Sequence, residues 1–74
     1  MPKLPVVSGK EAVKAFCKIG YQPDHQTGSH IILRHVSESH RRLSVPNHKE
    51  ISRGLLRDLI KEAGLTVEEF AELL

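Results

Sequence analysis

The chain has one cysteine, no tryptophan and only three aromatic residues, Phe16, Tyr21 and Phe70. A lone thiol, Cys17, cannot close an internal disulfide or build a cysteine zinc site, and it fits a reducing compartment. Three aromatics are too few for the stacking platforms on which single-strand-binding proteins lay successive bases. No apolar run approaches the ~18 residues of a membrane helix. No basic stretch followed by an apolar one opens the chain, as it would in a signal peptide. These absences predict a cytoplasmic protein with no membrane span and no cofactor. At 74 residues the expectation is a single domain, 1–74, burying only ~60% of the surface its unfolded chain exposes. A cofactor domain plus a substrate domain would not fit. An enzyme of this size must carry its site on the surface of a small core.

Strong charge of one sign is also missing: the formal net charge is +2. That mean hides an asymmetry. Residues 1–57 carry ten Lys and Arg against four acids, which is +6, whereas residues 58–74 carry Lys61 against five acids, which is −4. A basic body suits a polyanion, and the acidic end is either a partner-facing helix or a solvated one. Hydrophobic content of 39% and charged content of 27% are those of a soluble globular domain rather than a disordered chain.

What is present reads in order. Met1–Val7, with Pro2 and Pro5, is an extended lead-in. Ser8-Gly9-Lys10-Glu11 is a capping box, with Val7 and Ala12 placed as its staple. Ala12, Val13, Phe16, Cys17 and Ile19 follow at helical spacing, and Gly20 supplies a left-handed stop, so a first helix is expected over 9–19 with Cys17 in the core. Tyr21–Asp24 is a short strand candidate whose Pro23 favours a sheet edge; His25–Gly28 then reads as a turn. The β-branched run His30–Val36 predicts the central strand, Ser37–His40 a second turn, and Arg42–Val45 a third strand ended by Pro46. Tight connections imply an antiparallel meander. After a polar loop, Asn47–Ile51, Ser52 caps a helix with a core stripe of Leu55, Leu56, Leu59, Ile60 and Ala63, closed by Gly64. Thr66-Val67-Glu68-Glu69 is a second capping box. It opens a short terminal helix whose Phe70, Leu73 and Leu74 are expected to pack back. The fold class is therefore α+β, α-β-β-β-α with a short C-terminal helix, and both main helices should cover one face of a three-stranded antiparallel sheet. This is the element order of double-stranded-RNA-binding domains.

Five histidines crowd between positions 25 and 48. His30, His35 and His40 recur every five residues, which on a strand puts neighbours on opposite faces. No zinc spacing is present, so no resident metal is expected. His25 and His40 read as incidental surface histidines. His30 differs, because a Gly28-Ser29 turn presents it at the start of the central strand, where backbone N–H groups of the turn can approach a phosphate. Histidine titrates near neutrality and can take or return a proton. Arg34, Arg41 and Arg42 are candidates for neutralising a phosphodiester. RNA brings its own nucleophile, the 2′-hydroxyl, so cleavage needs only a base, an acid and charge stabilisation. His48 could transfer a second proton, bind phosphate or cap its loop. Ser29 could donate to phosphate or serve the turn alone, and Gly28 allows close approach or a positive φ. Lys10 and Lys14, off the apolar face of the first helix, could contact an RNA backbone or simply be solvated.

Three segments together carry a resemblance: Gly28-Ser29-His30-Ile31-Ile32-Leu33-Arg34-His35, then Val45-Pro46-Asn47-His48, then Gly54-Leu55-Leu56-Arg57-Asp58-Leu59-Ile60-Lys61-Glu62-Ala63-Gly64-Leu65. In this order and at this spacing the sequence resembles the HicA family of bacterial and archaeal toxins, over nearly the whole chain from Ser8 to Leu74. The resemblance implies a double-stranded-RNA-binding-domain-like fold and the toxin of a type II toxin–antitoxin system. It further implies a metal-independent endoribonuclease that cleaves mRNA with His30 as general base or acid, and a HicB-like antitoxin that covers the site. The chain alone is then a monomer, and with the antitoxin a hetero-oligomer. Two other readings stay open: a non-catalytic double-stranded-RNA-binding module of the same fold, and a subunit that only holds a partner. The small net charge, and Ser52-Arg53-Gly54 where a lysine cluster would open the second helix, weigh against the first of these.

Overall fold

The computed structural model describes residues 3–38 and 40–74. Pro2 of the lead-in and Ser39 of the second turn lie outside them. The elements run α1 (Gly9–Cys17), β1 (Tyr21–Thr27), β2 (His30–His35), β3 (Arg42–Pro46), α2 (Arg53–Glu62) and α3 (Val67–Glu72). The strands form one antiparallel sheet in the order β1-β2-β3, so the fold is α+β with His30–His35 in the centre.

Both capping boxes form. Ser8 Oγ accepts the Glu11 N–H at 3.1 Å while Glu11 accepts from the Ser8 N–H at 2.9 Å. Thr66 and Glu69 repeat the pattern at 3.1 and 2.9 Å. Each satisfies two amides that a helix start otherwise leaves without partners. Ser52 holds the N-cap position of α2 without a side-chain bond. Gly20 (φ 101°) follows α1 and Gly64 (φ 78°) follows α2, in the left-handed region expected there. Two basic side chains hold the ends of the later helices: Lys18 Nζ donates to Leu73 O at 2.7 Å, and Arg41 Nη2 to Glu62 O at 3.1 Å. Both place positive charge where the carbonyl ends of a helix favour it.

The helices cover one face of the sheet. From β2 and β3, Leu33, Leu43 and Val45 point under them, and Phe16, Tyr21, Leu56, Leu59, Ile60 and Phe70 fill the space between the layers. Phe16 sits at its centre, 5.2 Å from Phe70 and 6.2 Å from Tyr21 between ring centroids. Val7 and Ile51 close the end of the core, tied together by an Ile51 N–H to Val7 O bond of 2.9 Å.

Five expectations are corrected. α1 ends at Cys17, and Cys17 is exposed rather than in the core. At 100° per residue it falls well off the Ala12–Ala15–Phe16 stripe that is buried, and what burial its sulfur has pushes the thiol above its ordinary range. His25, Gln26 and Thr27 are strand, not turn: β1 runs on to Thr27, which pairs with His30, and only Gly28 and Ser29 make the turn. Gly28 adopts φ 57°, the positive value a two-residue hairpin demands. Leu55 and Leu74 are exposed, one beside the α2 stripe and the other beyond α3.

The N-terminus of α1 rests directly on the end of β3. Gly9 N–H donates to His48 O at 2.9 Å, and a Cβ on Gly9 would overlap the Pro46 carbonyl oxygen. Gly54, in the first turn of α2, faces open space. Two alanine substitutions should therefore act in opposite directions. Gly9→Ala should destabilise the fold by about 1–3 kcal/mol through overpacking. Gly54→Ala should stabilise it by about 0.4–1 kcal/mol through the unfolded chain. Urea midpoints of the two variants check both signs.

Candidate active site

The sheet has a covered and an uncovered face, and strand alternation sorts the candidate residues between them. On β2, Ile31, Leu33 and His35 face the helices, whereas His30, Ile32 and Arg34 face away. Pairing extends the uncovered face to Thr27 opposite His30, His25 opposite Ile32, and Ser44 and Arg42 opposite Ile32 and Arg34. His30 is exposed at the end of this face, where the Gly28-Ser29 turn leaves the sheet open.

Two further segments converge on the same end. Asn47 N–H donates to Ser29 O at 2.6 Å, which continues the β2–β3 ladder one step beyond the His30–Pro46 pair. His48 O then accepts from Gly9 N–H, so the loop after β3 is clamped between the turn and the start of α1. The clamp uses His48's backbone and leaves its ring exposed. Ser8, Lys10, Asn47, His48 and Lys49 surround a cavity of about 280 Å³. None of these lining residues is acidic. Gly28, Ser29, His30, His48 and Lys10 are thus brought together, with Lys49 and Asn47 added.

The remaining candidates lie elsewhere. Arg34 and Arg42 pair with each other across β2 and β3. Arg34 is four residues from His30 along the strand, roughly 13 Å at the strand rise. Both share the uncovered face with His30, at the other end of the strand. Arg41 is turned toward the carbonyl end of α2 and the Glu38 carboxylate, 3.1 and 3.2 Å away, at the opposite end of β3 from His30. Lys14 stands with Lys10 and Val13 over a groove of about 420 Å³ between α1 and the β1 edge. His35, on the covered side, joins the loops: its Nε2 lies 3.2 Å from Ile19 O, and its Nδ1 is 3.2 Å from the N–H groups of both Ser37 and Glu38. Its role is architectural, as its edge-on packing against Tyr21 also indicates. Among the described residues no group of three or more His, Cys, Asp or Glu side chains could hold a metal ion.

The strand pattern did not reveal Asp24 and His25. The β1–β2 register slips between Pro23 and His25, a β-bulge with Asp24 as the extra residue. Bulges re-aim side chains, and here Asp24 Oδ2 meets His25 Nδ1 at 2.8 Å and Arg34 Nη2 at 3.4 Å. The hydrogen bond from His25, and after it the charge of Arg34, hold the Asp24 carboxyl below its ordinary range. Arg34 Nε is buried without an acceptor among the described residues. The one signal available in the sequence was Pro23, which breaks a ladder from within.

The chain was compared with known proteins. No curated protein matches it. The family model described as "HicA toxin of bacterial toxin-antitoxin" matches residues 9–65, from the start of α1 to the residue after Gly64, and spans every segment that builds the sheet end around His30. The chain belongs to the family of HicA toxins of bacterial toxin–antitoxin systems.

Proposed function

We propose that the chain is an mRNA-cleaving endoribonuclease that works without a metal, with His30 as the general base. The observation that carries this reading is the place of His30. It is exposed on the uncovered sheet face, beside a glycine turn and a cation-lined loop that is hydrogen-bonded to that turn.

The reaction follows from what RNA supplies. The 2′-hydroxyl lies next to the phosphorus it attacks, so His30 need only remove its proton as the O2′–P bond forms and the bond from phosphorus to the 5′ oxygen breaks. The products are a 2′,3′-cyclic phosphate and a 5′-hydroxyl end. Negative charge builds on the phosphoryl oxygens, and donors already in place at the turn, Ser29 and the amides around Gly28, lower its energy. Lys10, Lys49 and the His48 ring, around the adjoining cavity, hold a neighbouring phosphate. Arg34 and Arg42 continue the basic track along the sheet, with Lys14 on α1 beside it. Phosphate contacts of this kind fix register without reading sequence. An element order shared with double-stranded-RNA-binding domains supports RNA as the polymer. The natural partner is a HicB-like antitoxin covering the uncovered face of a monomeric toxin, and the half-buried Ile32 beside His30 offers it an apolar contact.

His30→Ala should fold normally, because the residue is exposed. It should lose about 10²- to 10⁴-fold in cleavage rate, the usual worth of a proton-transfer group. In bacteria the wild-type chain should arrest growth and degrade mRNA, and the variant should not; equal toxicity of the two would remove His30 from the mechanism. Mass spectrometry of the fragments should find 2′,3′-cyclic phosphate ends. Intact RNA with a gel shift would instead leave binding alone.

The phosphate track has its own measurement. A 2′-O-methyl RNA oligonucleotide binds without being cut. On it, Lys10→Gln with Lys49→Gln should make the slope of log affinity against log salt shallower by roughly 1.4, about 0.7 for each lost contact to a single strand. An unchanged slope would take the cavity out of the RNA path.

A further inference from the structure

We propose that His25 is the second proton-transfer group, the acid that protonates the leaving 5′ oxygen, and that Asp24 positions it. The inference deepens the ribonuclease reading above and rests on it.

The register supplies the first half of the argument. From His25 to Thr27 the β1–β2 pairing is unbroken, so His25, Thr27, His30 and Ile32 share the uncovered face. His30 stands opposite Thr27, and His25 is two residues from Thr27 on the same strand. That is the diagonal relation across an antiparallel pair, roughly 7–8 Å between backbones and within reach of ring side chains. A phosphodiester lying over Thr27 then has one histidine on each side, on one rigid hairpin.

The second half is the bulge. A regular strand would alternate Asp24 away from His25, but the extra residue lets both reach the same face. The 2.8 Å contact from His25 Nδ1 to Asp24 Oδ2 fixes the ring and directs Nε2 outward. A carboxylate that orients an imidazole through its Nδ1 is the arrangement that catalytic histidines use. Arg34, 3.4 Å from the same oxygen, holds Asp24 in place. Among the described residues no carboxylate orients the His48 ring; its loop is held through the backbone.

The proton count balances. His30 accepts the proton of the 2′-hydroxyl, His25 gives its Nε2 proton to the 5′ oxygen as the P–O bond breaks, and exchange with water restores both rings. No further reactant is needed.

The test uses two substrates with purified full-length chain. One is a short RNA, whose alkoxide leaving group needs a proton. The other is a nucleoside 3′-(4-nitrophenyl phosphate), whose phenolate leaves without one. His25→Gln should lower kcat on RNA by about 10²-fold or more, with KM little changed, yet remain within a few-fold of wild type on the nitrophenyl ester. Asp24→Asn should move both values in the same direction by a smaller factor. His30→Ala should fail on both substrates. Equal losses for His25→Gln on both substrates, no loss on RNA, or a selective loss for His48→Gln instead would each overturn the assignment. A wild-type chain that cleaves neither substrate would overturn the ribonuclease reading itself, and His25 with it. Wild-type cleavage with an indifferent His25→Gln would overturn only His25.

Discussion

The fold turns on one close approach. The first residue of α1 lies against the last residue of β3 so tightly that only a glycine fits, and its N–H is bonded to the loop beyond. From that contact the helix start, its capping box and the loop 47–49 take their positions. Through Asn47 the loop fixes the Gly28-Ser29 turn, and the turn fixes the histidine that follows it. A domain this small has little buried surface to draw on. Its precision at the site comes from such backbone bonds rather than from a deep pocket. The residues with a proposed chemical role are exposed, apart from the half-buried Arg34.

Most of this order was legible in the sequence because local chemistry and tertiary structure agree. Both capping boxes are spelled out by short side chains whose bonds span three residues, and the glycine stops need only their own φ. The central strand declares itself by β-branching, and its placement between two others follows from short connections. His30 at a sheet end and His35 on the opposite face followed from alternation alone. Cys17 failed because a stripe drawn at loose helical spacing admits residues on its margin, and the tighter stripe through Ala15 leaves it outside. The length of β1 failed because Gln26 and Thr27 carry no mark distinguishing a polar edge strand from a turn. The contact between Asp24 and His25 was missed for a deeper reason: a bulge breaks the alternation on which any reading of faces depends. Arg41 had the right charge, but it precedes β3 and its guanidinium is bonded to the carbonyl end of α2 and to Glu38.

The charge asymmetry is resolved by the same geometry. Arg34 and Arg42 lie side by side on the uncovered sheet face, with Lys10 and Lys49 at its end. The acids of residues 58–74 are carried by α2 and α3, which lie on the other side of the sheet. A modest net charge therefore coexists with two neighbouring arginines on one face and a cluster of acids on the last two helices behind it.

The bulge at Asp24 has one more consequence. β1 is an edge of the sheet, and a long regular edge is a template for any other extended chain. Pro23 removes a donor from that edge, and the extra residue beside it throws the spacing of the remaining donors out of step. The irregularity that turns a carboxylate toward a histidine also denies a second chain a matching row of hydrogen bonds. For a small protein whose strands have little else to hide behind, one extra residue both seats that contact and spoils the edge as a template.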